Sequence, residues 1–170
     1  MDVSDVAAEL VRRRDLDQQA RRNAAGGRWS EREREHTGQV DADNTRWLTG
    51  LVAEHGWPRA DRVGAAAAHA AWLIAQHADA APAQQRRFLT LMRQAAADGQ
   101  ARPADLAYLE DRCRRNSGRP QLYGTQLATT DDGDLVPAPL EEPERVDDRR
   151  AAVGLSPLAD YLKAVREHNQ

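Results

Sequence analysis

Between Val63 and Ala80 the chain reads VGAAAAHAAWLIAQHADA, and five residues within eleven positions of that stretch, His69, Trp72, Gln76, His77 and Asp79, can hydrogen-bond or titrate. The remainder of the stretch is apolar right around a helix, the pattern of a segment buried in a core. Polar groups carried into a core need partners or a task. At about 100° per residue, His69, Trp72, Leu73 and Gln76 share one face, and Ala67, Ala71, Ile74 and Ala78 share the opposite one. The alanine face admits a close neighbouring helix. The other face offers a large ring flanked by hydrogen-bonding groups, a candidate pocket wall.

General acid/base chemistry is the reaction class these residues suit. His77 and Asp79 leave the helix at its C-terminal end, where the helix dipole and a neighbouring carboxylate both favour a protonated imidazole. Tyr123, further along, adds a phenolic donor. The set expected to move protons is therefore His77, Asp79 and Tyr123, with His69, Trp72, Gln76, Thr125 and Gln126 expected to contact a substrate. The same groups could equally form a buried network that ties helices to a hairpin.

Other chemistries fit the spacing less well. His69 and His77 stand about 12 Å apart along a helix axis and ~80° apart in azimuth, too far to chelate one zinc, and no HExxH pattern is present. No metal and no cofactor is expected. Cys113, the single cysteine, is spaced with Leu106 and Leu109 as a packing residue. The sequence contains no GxSxG, P-loop or GxGxxG pattern.

The elements that must position these residues are mainly helices. Residues 2–22 carry Val3, Val6, Ala7, Leu10, Val11 and Leu16 at helical spacing, with Asp2 or Ser4 as N-cap; that helix should end near Gly26 and Gly27. Residues 28–40 alternate charges and suit an exposed helical turn or connection. A second helix is expected from the cap cluster Asp41–Asn44 to His55, closed by Gly56. A short helix at 59–63 follows Pro58, then the central helix, then helices over 83–98 and from Arg102-Pro103 to Asn116. Around Asp132-Gly133, residues 121–139 read as a β-hairpin, with Pro137 and Pro139 confining the second arm to an edge. The hairpin must lie on helices to be stable, which would bring Tyr123, Thr125 and Gln126 near the central one. Short helices at 143–152 and from Ser156 onward finish the chain.

Composition narrows the partners. With 24 basic and 27 acidic residues in 170, the formal charge is -3, and nothing favours nucleic acid. From Asp131 to Arg150 eight acids face three bases, the acidic spot of the chain. No apolar run approaches the roughly 20 residues of a membrane span, and the charged start lacks a signal-type segment. A cytoplasmic location without membrane contact is expected.

GWP at 56–58, HAAWLIAQHAD at 69–79, LAYLEDR at 106–112, GRPQLYGTQ at 118–126 and EEPERVDDRRAAVGLSPLADYL at 141–162 together resemble a bacterial family typified by QHAD, QxYGTQ and VDxRR motifs. No activity is established for that family. The likeness runs from Asp43 to the end and, more loosely, includes DLDQQARR near the N-terminus. It implies candidate positions without a reaction: Trp72, Gln76, His77, Asp79, Tyr123, Gly124, Thr125, Gln126, Asp147 and Arg149. Arg149, with its planar fork, is expected to fold back onto a carboxylate, Asp79 first, and to contact substrate.

The expected architecture is one mainly α domain over 1–170, a helical bundle around the buried helix at about 65–79 with one hairpin at about 121–139. Residues 1–40 would form its periphery and 41–170 its core. Two functions remain open: an acid/base enzyme acting on a small metabolite or peptide, or a non-catalytic module that binds a ligand or protein while the same polar residues hold it together.

Overall fold

A computed structural model describes residues 2–22, 29–131 and 134–168. The described chain is mainly helical: α1 (Val3–Arg22), α2 (Glu31–His55), α3 (Ala60–Val63), α4 (Ala65–Gln76), α5 (Pro82–Ala97), α6 (Pro103–Asn116), strands β1 (Leu127–Thr129) and β2 (Leu135–Pro137), a 3-10 turn (Pro143–Arg145), α7 (Val146–Ala152) and α8 (Leu158–His168). No helix among the described residues is long and apolar enough to cross a membrane. The chain forms two compact units, Met1–Arg102 and Pro103–Gln170.

In the first unit α4 is the hub, packed along α1 and also against α2, α3 and α5. Ala67, Ala70, Ala71, Ile74, Ala75 and Ala78 are all but fully buried. Their small side chains suit the close packing of α1 along α4, and Leu10 and Ala20 on α1 and Phe88, Leu89 and Met92 on α5 are buried in the same unit. Burying a leucine- or phenylalanine-sized side chain stabilises by about 1.5–3 kcal/mol, so this packing, not helix propensity, holds α4 in place. The face with His69, Trp72 and Leu73 is only half buried.

Two expectations about this unit are corrected. Helix α2 begins at Glu31, ten residues before the Asp41–Asn44 cluster, because Ser30 and Glu33 form a capping box. Glu33 N–H donates to Ser30 Oγ at 3.3 Å, and Ser30 N–H donates to the Glu33 carboxylate at 2.7 Å. The charged stretch 31–40 is thus mostly the solvated face of a helix rather than a connection, and Asp41, Asp43 and Asn44 lie inside it. Instead of capping they meet α1: Arg13 donates to Asp43 at 2.8 Å and to Asn44 at 3.0 Å. On α1 itself the buried line is Val6, Leu10, Arg13, Asp17 and Ala20, while Leu16 is 42% exposed. The expected end of this helix at Gly26 and Gly27 lies outside the described residues.

In the second unit the sheet is a short antiparallel pair, with Leu127 opposite Pro137 and Thr129 opposite Leu135. Its second strand packs on α8. The expected hairpin arm from residue 121 is instead a loop as far as Gln126; Gln121 forms a parallel bridge with Leu140, its N–H donating to the Pro139 carbonyl at 2.8 Å and its own carbonyl accepting from Glu141 N–H at 2.9 Å. The Asp132-Gly133 turn lies outside the described residues. At the start of α8 the capping oxygen comes from a distance, Leu158 N–H donating to Asp147 at 2.8 Å, rather than from Ser156 as the sequence pattern predicts.

Candidate functional site

The first unit gathers titratable groups around His77. His77 is the residue just past the end of α4, and its Nδ1 lies 2.7 Å from Asp17 Oδ1. Asp17 has no exposed surface. It also accepts from Arg21 at 2.9 Å and from Gln18 at 2.8 Å. Arg21 spans to Asp41, donating to both of its oxygens at 3.0 Å. Helical geometry explains the grouping: Asp17 and Arg21 are i, i+4 neighbours on α1, and the close α1–α4 packing sets the buried carboxylate against the end of α4.

The two carboxylates titrate in opposite directions. Burial opposes ionisation of Asp17, yet the hydrogen bond and charge of His77, the charge of Arg21 and the Gln18 amide together hold it below the usual carboxylate range. Burial pushes Asp41 up, against the hydrogen bond and charge of Arg21 and the charge of His77. One acid is therefore kept ionised and the other is shifted toward holding its proton. A histidine with one ring nitrogen oriented by a buried carboxylate keeps the other for proton transfer.

The remaining residues singled out on α4 fall as follows. His69 stacks on Trp72 at 4.7 Å between ring centroids. Gln76 is buried, and its side-chain oxygen has no hydrogen-bond donor. Asp79 accepts from Gln85 at 3.1 Å. The same Gln85 amide nitrogen also donates to the carbonyls of Ala75 and Gln76, so it closes the end of α4. The carboxylate that meets His77 is Asp17.

In the second unit the QLYGTQ stretch is wrapped around a different buried carboxylate, Asp111 on α6. Asp111 accepts from Leu122 N–H at 2.7 Å, Tyr123 N–H at 3.1 Å, and the N–H and hydroxyl of Thr125, each at 3.0 Å. Gln126 accepts from Arg112 at 3.0 Å and donates to Thr125 Oγ1 at 3.1 Å. Gln121 donates to the Gln126 and Ala138 carbonyls and accepts from Gln126 N–H. Arg149 donates to the carbonyls of Leu122 at 2.7 Å, Glu141 at 2.5 Å and Glu142 at 3.0 Å, and its guanidinium pairs with the Glu142 carboxylate at 3.7 Å. Arg150, 1% exposed, donates to the carbonyls of Tyr123 and Ser156 and lies over the Tyr161 ring. Thr125, Gln126 and Arg149 thus hold backbone and neighbouring side chains in place.

Asp17, Arg21, Asp41, Gln85, Asp111 and Arg150 were not singled out from the sequence as site residues. A signal for Asp17 was present: Val6, Leu10, Arg13, Asp17 and Ala20 follow the 3–4 spacing of a buried face, and a carboxylate on that line must find donors.

Residues 4–169 match the model of a family of unknown function, DUF6624. No curated protein and no solved structure matches the chain.

Proposed function

The chain belongs to the DUF6624 family, and we propose that it is an acid/base catalyst acting on a small polar metabolite or peptide, with His77 as the general base. The observation that carries this reading is the 2.7 Å contact between His77 Nδ1 and the fully buried Asp17. Asp17 fixes the ring and its tautomer and stabilises the imidazolium formed when Nε2 takes a proton. Asp41 accepts from Arg21 through both oxygens, and this pair keeps the Arg21 guanidinium in place beside Asp17 and the base.

The second reading, a non-catalytic module, is favoured by the way Thr125, Gln126 and Arg149 are spent on internal hydrogen bonds. Stability of His77→Gln separates the two, since glutamine keeps a donor toward Asp17. A catalytic His77 should be replaceable at a cost below about 1 kcal/mol or with a gain, because active sites trade stability for function. Turnover of any substrate found by screening small esters, amides and hydroxy acids should then fall at least 100-fold. A loss of roughly 3 kcal/mol or more, with turnover unchanged in the surviving folded fraction, would make His77 structural.

A further inference from the structure

We infer that Asp17, Asp41 and His77 form a binding site for a divalent transition-metal cation, and that the Arg21 guanidinium occupies the cation's place. This is a use of the same residues that is independent of the acid/base reading, because an ion ligated by His77 and Asp17 replaces the hydrogen bond between them. One ligand atom from each of the three residues lies within 4.8 Å of the others. Two donors bound to one zinc at about 2.0–2.2 Å lie ~3.4 Å apart in a tetrahedral set, so shifts on the order of 1 Å would close the group around an ion. One imidazole with two carboxylates suits zinc, cobalt(II) or manganese(II), whereas magnesium prefers oxygen ligands alone. The three ligands come from three helical elements, α1, α2 and the end of α4, packed on one another.

Two further features point to a ligand. Thr37 is 4% exposed and its hydroxyl has no hydrogen-bond partner. It lies one turn before Asp41 on the same face of α2, and helical side chains lean toward the N-terminus, so the Asp41 carboxylate is carried over the turn that holds Thr37. A hydrated cation beside Asp41 would bring a polar partner to that hydroxyl. The second feature is Arg21 itself. Its two terminal nitrogens reach Asp17 and Asp41, the position in which a dication would satisfy both carboxylates. Its side chain is 24% exposed in the last turn of α1, so it can turn outward to solvent when a cation enters. The site then exchanges one positive group for another.

Isothermal titration calorimetry of the full chain with Zn(II), and the visible absorption of Co(II), test the proposal. The expected result is one ion per chain and a Co(II) band of tetrahedral or five-coordinate type. Asp41→Asn and His77→Gln should each weaken binding at least tenfold. Arg21→Met, which removes the competing charge and keeps the apolar stem, should tighten it at least tenfold, and Zn(II) should raise the Tm of that variant more than that of the parent. Circular dichroism confirms that each variant is folded. Absence of binding to the parent chain overturns the proposal. So does binding that neither substitution weakens, which would place the ion on surface histidines, or an Arg21→Met variant that binds no more tightly. These readouts involve no turnover, so a failure here leaves the acid/base reading to its own test.

Discussion

Replacing Asp111 tests whether the QLYGTQ loop is held from within. The carboxylate receives four donors: three backbone N–H groups, from Leu122, Tyr123 and Thr125, and the Thr125 hydroxyl. In Asp111→Ala all four lose their acceptor. Leu122 and Tyr123 are half-buried and can recover water, but Thr125 is 5% exposed and cannot. Stranding a buried donor costs about 1–3 kcal/mol, so the two Thr125 donors and the cavity left by the side chain together predict a loss of roughly 3–6 kcal/mol. Set against a typical domain stability of about 5–15 kcal/mol, that approaches unfolding. Asp111→Asn keeps one acceptor oxygen and turns an amide toward the donors, and should lose about half as much. Urea unfolding measures both, and the aromatic residues separate the two units: Trp29, Trp47, Trp57 and Trp72 all lie in the first, and Tyr108, Tyr123 and Tyr161 in the second. The tyrosine near-UV signal should report the loss, with an unchanged m-value. An Asp111→Ala variant that loses less than about 1 kcal/mol would refute the reasoning.

Two further outcomes follow from local geometry. Gly124 has φ +69°, and a Cβ there would lie 2.8 Å from Leu158 Cδ1, so Gly124→Ala should lower stability by roughly 1–3 kcal/mol through backbone strain and overpacking; an unchanged Tm would mean that the loop is free to move away. Asp17, held below the usual range by His77, Arg21 and Gln18 against the opposing effect of burial, contributes stability that is present above its unfolded pKa of about 3.9 and is lost as pH falls through the lower folded value. The stability gap between the parent and Asp17→Asn should therefore be widest above about pH 4 and shrink in more acid solution; denaturation curves at several pH values that show a constant gap would contradict the assignment.

Much of the helical plan was legible in the residues. The apolar run of α4, the proline-led starts of α5 and α6 and the glycine after α2 are local signals, set by propensity and by which backbone groups need caps. The alanine face of α4 was legible for the same reason, since helical periodicity alone decides which residues share it. The Ser30–Glu33 capping box was also local and carried α2 ten residues beyond its expected start. The tertiary structure alone decided which groups meet. His77 and Asp79 are two residues apart, yet the helix ends at Gln76 and the carboxylate facing His77 is Asp17, sixty positions away in sequence. Residues 121–126 carry the β-branched and aromatic texture of a strand, but a carboxylate on α6 supplies the hydrogen bonds that a strand neighbour would have supplied. In both cases a buried acid, a type that sequence patterns assign to the surface, became the organising group because packing removed it from water and left nearby backbone and side-chain donors as its only partners.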